Sequence, residues 1–180
     1  IWRSRLAGGE ADDTPYLARM RDLVGALASD PERPAEAHGT VNVIARDGGG
    51  HLACGVSTSG WAWKYPGRLG DSPIVGAGNY ADDRYGAAAC TGRGEMAQRL
   101  CTAHSVVTFM RCGTSLRDAL RLAAEDLHRL EDPYWSEVNI LGVDRDGDYH
   151  AVSTVPGKTF IAITADMERY VELEREYVPS

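Results

Sequence analysis

Two different spacings of apolar residues follow one another along this 180-residue chain. Near its start, Leu17, Met20, Leu23, Val24 and Leu27 recur at every third or fourth position. Thr14 and Pro15 stand ahead of them as an N-cap and a first-turn proline, so an amphipathic helix is predicted over residues 15–28. The stretch Ser29-Asp30-Pro31-Glu32-Arg33-Pro34-Ala35-Glu36-Ala37 is polar and broken by proline, and reads as a linker. At Thr40 the pattern becomes that of strands: Thr40–Ala45, a turn at Asp47-Gly48-Gly49-Gly50, and a returning strand over His51–Thr58. A glycine-rich loop runs through Gly78, followed by a short alanine-rich strand, Tyr85–Cys90. Residues 94–112 read as one helix, with Met96, Leu100, Val107 and Met110 on one face and Gly113 as its stop. Thr114 or Ser115 caps a second helix carrying Leu116, Leu120, Ala123 and Leu127. Val138–Val143 and Tyr149–Thr154 flank a hairpin turn at Asp144-Arg145-Asp146-Gly147, and Phe160–Ile163 adds a strand.

The order β-β, loop, β, α-α, β-β-β predicts a mixed α/β fold in which helices pack on a face of layered sheet. No internal repeat is visible. With 43% apolar residues the chain has enough material for one real core. No apolar run approaches the roughly 20 residues of a membrane-spanning helix, so no membrane partner is expected. No basic-then-apolar leader stands at the start, which leaves the compartment open with a lean toward the cytoplasm. The first residue is Ile1, and the chain is expected to be processed or part of something longer. Net charge is −7, with no block of Lys or Arg, which argues against nucleic acid as a partner. Cys54, Cys90, Cys101 and Cys112 form no CxxC pair and are expected to pack as small buried apolar residues.

Several familiar patterns fail on inspection. Asp144, Asp146 and Asp148 lack the glycine and closing glutamate of a calcium loop, and a hairpin turn explains them. Gly76-Ala77-Gly78 lacks the third glycine of a dinucleotide fingerprint. Gly55 to Gly60 has one residue too many for a serine nucleophile elbow. The histidines at 38, 51, 104, 128 and 150 show no ligand spacing, and His104 reads as a packed or hydrogen-bonded helix residue.

The chemistry concentrates between His38 and Glu95. A threonine hydroxyl needs an adjacent base to act as a nucleophile, and the threonine's own α-amine is one such base. A free α-amine titrates at roughly 7.7–8.0, close to ideal for general-base work at neutral pH. Thr40 follows Gly39 at the end of the linker and opens a strand, and a glycine before it would let that peptide bond be strained toward attack. By itself a Gly-Thr step says little. In this chain, however, Gly39-Thr40-Val41, Ser57-Thr58-Ser59-Gly60, Lys64-Tyr65-Pro66-Gly67-Arg68-Leu69-Gly70-Asp71-Ser72-Pro73, Gly76-Ala77-Gly78-Asn79-Tyr80-Ala81-Asp82-Asp83 and Ala89-Cys90-Thr91-Gly92-Arg93-Gly94-Glu95 occur in this order. Together they closely resemble the glycosylasparaginase and isoaspartyl-peptidase (plant-type asparaginase) family of N-terminal-nucleophile hydrolases.

That resemblance covers Thr40 to about Val155 well and the tail loosely. It implies a four-layer αββα sandwich, of which this chain holds mainly the second half. Residues 1–39 would end the first subunit with the linker, and residues 40–180 would be the second subunit. Thr40 would be the nucleophile, freed by self-cleavage of the Gly39–Thr40 bond. Thr58 would hydrogen-bond near its amine and hydroxyl. Arg68 would hold a substrate α-carboxylate through a bidentate pair and Asp71 the α-ammonium. The Thr91 hydroxyl and Gly92 N–H would form an oxyanion hole. No metal or cofactor is implied. The implied partners are a small amino-acid substrate and an N-terminal α-subunit half, giving an αβ heterodimer paired into a heterotetramer. The implied reaction is hydrolysis of the side-chain amide of N4-(β-N-acetylglucosaminyl)-L-asparagine, or alternatively of β-aspartyl peptides and asparagine. An inactive, unprocessed structural or binding relative is the reading of another class. Gly39 matches the isoaspartyl-peptidase branch, where glycosylasparaginases commonly carry Asp. Tyr80-Ala81-Asp82-Asp83 and Trp61-Ala62-Trp63-Lys64 look closer to the other branch.

Overall fold

The computed structural model describes residues 38–61, 64 and 67–180. The helix expected over 15–28 and the linker over 29–37 lie outside the described residues. The first two strands, β1 (His38–Arg46) and β2 (Leu52–Trp61), form an antiparallel hairpin. Its turn closes on Asp47, whose Oδ1 accepts from the N–H groups of Gly49 and His51. The hairpin register sets Thr40 opposite Thr58, Asn42 opposite Val56 and Ile44 opposite Cys54. These residues share one face by strand alternation, and Val41, Val43, Ala53 and Ser57 share the other.

Strands β3 (Asn79–Asp82) and β4 (Gly86–Gly92) follow, then α1 (Gly94–Leu100), α2 (Thr102–Arg111) and α3 (Leu116–His128). The chain continues as β5 (Val138–Asp144), β6 (Tyr149–Ser153), β7 (Thr159–Ala162), β8 (Val171–Glu174) and β9 (Glu176–Tyr177). One sheet has the order β3-β4-β5-β6-β9, antiparallel except for the β6–β9 pair, and β7 and β8 form a separate hairpin.

The core sits between the five-stranded sheet and the helices. Cys90, Ile140 and Val152 stand side by side across β4, β5 and β6 and pack with Val106, Leu116, Leu120 and Leu127. On the opposite sheet face, Ala87 and Ala89 are buried as well, because the β1–β2 hairpin packs there. The Asn42 amide donates to the Cys90 carbonyl and the Leu52 N–H to Asp83, which ties the two sheets together. The described residues therefore stack as helices, sheet and a narrower hairpin sheet. The outer face of that hairpin is bare: Val41 and Val43 are 64% and 57% exposed.

The structure corrects several expectations. The single helix expected over 94–112 is two, because Cys101 adopts φ 47°, ending α1 and starting α2 at a new angle. Gly113, at φ 94°, stops α2 as expected, and Ser115 rather than Thr114 caps α3 by accepting from the Asp118 N–H. Among the cysteines, Cys90 is buried and Cys54 half-buried, whereas Cys101 and Cys112 are exposed because they occupy helix ends. The Asp144 turn is a hairpin as expected, with Asp144 Oδ1 accepting from Asp146, Gly147 and Asp148 N–H groups. Strand β3 lies between the loop that runs through Gly78 and the strand expected from Tyr85, and it, β8 and β9 are elements the sequence reading does not contain.

Candidate active site

One end of the layer between the two sheets opens into a cavity of about 330 Å³ whose lining includes Thr40, Thr58, Arg68, Asp71 and Gly92. These residues come from β1, β2, the loop after β2 and the end of β4, so the fold gathers positions 52 residues apart in sequence. Thr91 stands just before Gly92 on β4, on the strand face that it shares with Ala89 and that looks toward the hairpin.

Thr58 is the junction of this end. The Thr40 hydroxyl donates to Thr58 Oγ1 at 3.0 Å, and the Thr58 hydroxyl donates in turn to the Gly39 carbonyl at 3.0 Å. The Gly60 N–H donates to the same Thr58 oxygen at 2.8 Å. Nucleophile candidate and neighbouring carbonyl are thus linked through one hydroxyl. The cause lies in the register: between the Thr40–Thr58 and His38–Trp61 pairs, Ser59 and Gly60 on β2 face Gly39 alone. This is a bulge, and Gly60 at φ 70° supplies the left-handed conformation it needs. Gly39 itself has no positive φ, and its peptide bonds are trans. The unusual backbone sits across the ladder, at Gly60.

Asp71 is 7% exposed, and burial raises its carboxyl above the ordinary aspartate range, against its own backbone hydrogen bond and the Arg68 charge, which pull downward. Its loop is held by the Ile74 N–H donating to the Asp71 carbonyl. Gly94 lies against this carboxylate. Gly92 has φ 117°, and a Cβ there would lie 2.2 Å from the Glu137 carbonyl oxygen. Only glycine fits where the end of β4 turns into α1.

Arg68 already has a carboxylate partner within the chain. Its Nε and Nη2 donate to the two oxygens of Glu95 at 2.7 and 2.8 Å, a forked pair with Arg68 17% and Glu95 32% exposed. Arg93 approaches the same carboxylate at 3.3 Å. Its guanidinium lies over the rings of Trp61 and Tyr134, 5.6 and 5.8 Å from their centroids. Glu95 and Trp61 are parts of the site to which the sequence analysis gave no role. Glu95 reads locally as an acidic first-turn helix residue, and its partner is 27 positions away. His104 is exposed, bonded to Thr108 and packed edge-on to Tyr80, away from this cavity's lining. Among the described residues no His, Cys, Asp and Glu cluster could hold a metal ion.

The geometry can orient a hydroxyl toward a carbonyl and present one acidic and one basic side chain to a zwitterion. Comparison with known proteins gives the same direction. A sequence model described as asparaginase matches residues 10–171. The chain is 35% identical over 130 residues to an N(4)-(beta-N-acetylglucosaminyl)-L-asparaginase of Elizabethkingia miricola, covering 69% of this chain and 38% of that protein. It is 42% identical over 97 residues to the Rattus norvegicus protein of the same name, covering 54% and 27%. It is also 42% identical over 112 residues to an isoaspartyl peptidase of Salmonella typhimurium, covering 61% and 34%. The matches thus span only 27–38% of the length of these three curated relatives. On the extent of the family match, this chain belongs to the asparaginase family.

Proposed function

We propose that this chain is the catalytic portion of a self-processing amidohydrolase that cleaves the side-chain amide of N4-(β-N-acetylglucosaminyl)-L-asparagine. The observation that carries the reading is the Thr40–Thr58–Gly39 hydrogen-bond relay at the mouth of a cavity shared with Arg68 and Asp71. In the intact chain the Thr40 nitrogen is an amide and cannot serve as a base. Thr40 Oγ1 attacks the Gly39 carbonyl carbon, the C–N bond breaks, and the proton lost by the hydroxyl ends on the departing nitrogen, which leaves as the Thr40 α-amine. Thr58 donates to the carbonyl oxygen as negative charge develops there. Water then hydrolyses the ester and frees the Gly39 carboxylate and the Thr40 amine.

In the mature enzyme that amine takes the Thr40 hydroxyl proton while the oxygen attacks the substrate's side-chain amide. The Thr91 hydroxyl and Gly92 N–H hold the resulting oxyanion. The proton passes to the departing glycosylamine, and water hydrolyses the β-aspartyl ester to aspartate. Arg68 and Asp71 hold the α-carboxylate and α-ammonium.

The boundary between Gly39 and Thr40 divides the chain into the end of an α subunit and a β subunit. The bare outer face of β1–β2 suits coverage by an N-terminal half, completing the four-layer sandwich and an αβ unit that pairs into a heterotetramer. A second reading, a β-aspartyl peptidase with asparaginase activity, is favoured by Gly39 before the nucleophile and by the similarity to an isoaspartyl peptidase. The test is a hydrolysis panel on the full-length protein with glycosylated asparagine, β-aspartyl dipeptides and free asparagine. Preference for the first supports the leading reading, preference for the second the alternative. Protein that stays uncleaved and is inactive on all three leaves the inactive, unprocessed structural or binding relative.

A further inference from the structure

Arg68 carries five N–H donors in a plane, and a carboxylate can meet it along either of two edges. Glu95 occupies one of them, Nε with Nη2, at 2.7 and 2.8 Å. The remaining nitrogen, Nη1, lies nearest two glycines, with the stem of Lys64 also close to the Gly60 position. A Cβ at Gly70 would lie 2.8 Å from Arg68 Nη1, and one at Gly60 would lie 3.4 Å from it. Both glycines line the cavity, as Arg68 does. Glu95 has a second cation beside it: Arg93 Nε lies 3.3 Å from its Oε2 as an ion pair, and the Arg93 guanidinium lies over the Trp61 and Tyr134 rings. Two arginines around one half-buried carboxylate also keep it ionised. Burial raises the Glu95 carboxyl, but the Arg68 hydrogen bond, its backbone hydrogen bond and the Arg93 charge together bring it below the ordinary range.

We infer that Glu95 is a positioning residue for Arg68: it takes the Nε edge, locks the guanidinium plane, and leaves the glycine-framed Nη1 edge as the one that meets a ligand carboxylate. The inference rests on the proposed reading, in which Arg68 binds a substrate α-carboxylate. It adds the residue that sets the arginine's orientation and the two glycines that keep its working edge open. Without Glu95 the flexible side chain would have to be ordered by the substrate itself, and the loss of preorganisation would fall on binding.

The test uses the full-length protein and two probes: L-aspartic acid β-anilide and the same compound with its α-carboxylate converted to a carboxamide. Wild type should prefer the acid strongly, and Arg68→Lys should erase most of that preference. Glu95→Gln, nearly isosteric, should lower kcat/KM for the acid by about tenfold or more through KM, and leave the carboxamide within about twofold. The double variant should be no worse than Arg68→Lys alone. Glu95→Asp, which retains the charge, should keep part of the preference. If Glu95→Gln leaves the acid preference intact while Arg68→Lys abolishes it, the positioning role is wrong. Equal losses on both probes in Glu95→Gln and Glu95→Asp would also overturn it, making Glu95 merely structural. A wild type that hydrolyses both probes equally would instead refute the carboxylate-binding reading on which the inference stands.

Discussion

Gly94 has no room for a methyl group, because a Cβ built there would lie 2.6 Å from Asp71 Oδ1 and 2.9 Å from the Asp71 nitrogen. The first residue of α1 and the buried carboxylate of the cavity are therefore in direct contact, and the helix start fixes where Asp71 sits. Gly94→Ala should displace the Asp71 loop. Overpacking of this kind costs about 1–3 kcal/mol. The expected outcome is a lower melting temperature together with a raised KM for substrates bearing a free α-amine. Unchanged kinetics in a folded Gly94→Ala protein would separate Asp71 from substrate binding.

Thr58 is expected to control the appearance of activity. Thr58→Val keeps the β-branched shape that suits a strand but removes the donor to Gly39 and the acceptor for Thr40 and Gly60. Losing one donor to a developing oxyanion typically costs a factor of about 10²–10³ in rate. Cleavage between Gly39 and Thr40, followed by mass spectrometry, should slow by about that factor. Thr40→Ala should remain uncut, and Thr40→Ser should cut. The smaller product of wild type should begin Thr-Val-Asn-Val.

Asp71 predicts a second loss of activity on the acid side of the pH profile, below the one set by the Thr40 amine. Its carboxyl is raised by burial, so as pH falls it takes up a proton earlier than an ordinary aspartate, which titrates at about 3.9. Protonated, it no longer attracts an α-ammonium. Beneath the fall set by protonation of the Thr40 amine, kcat/KM for free-amine substrates should show an additional loss as Asp71 takes up its proton, and that additional loss should be absent with a substrate acetylated at the α-amine. The linked effect on stability has the opposite sign. A raised carboxyl favours folding below the unfolded value, an advantage lost as pH rises through the folded value. Asp71→Asn should thus stabilise the protein at neutral pH while weakening substrate binding.

The cysteines give a prediction independent of catalysis. Cys101 and Cys112 are exposed, and Cys90 is fully buried with its thiol pushed well up by desolvation. A thiol reagent added to native protein should modify Cys101 and Cys112 first, with Cys90 reacting only on unfolding. Peptide mapping after brief labelling checks the order. Cys101→Gly should relieve the left-handed strain of the α1–α2 junction. It should stabilise the protein by up to about 1 kcal/mol, the cost of αL being offset in part by glycine's freedom in the unfolded chain.

Where apolar spacing is strong, the elements are legible from residues alone. The β1–β2 hairpin, α3 with its Leu116, Leu120 and Leu127 stripe, and the β5–β6 hairpin all follow from local pattern. The break at Cys101 does not, because Met96, Leu100, Val107 and Met110 continue a helical spacing across it while the backbone turns. Strands β3, β8 and β9 contain four, four and two residues, too few to show a period, and exist through their pairing. The same limit applies at the cavity. Thr40, Thr58, Arg68, Asp71 and Gly92 were named through a resemblance of whole motifs. No property of a lone glutamate at the start of a helix discloses that it grips an arginine 27 positions earlier.

The fork between Arg68 and Glu95 has a stereochemical consequence. An arginine free on both edges can rotate to meet a carboxylate from several directions; one tied along its Nε edge offers a single approach. With Asp71 fixed three residues along the same loop and Thr40 on a strand across the cavity, an amino acid bound as proposed would be held at three points that do not lie on a line. Three such points distinguish mirror images. The D-enantiomer could satisfy any two of them, but its side-chain carbonyl would then face away from the Thr40 hydroxyl, so the handedness of the substrate would be selected at the carboxylate end, remote from the bond that breaks.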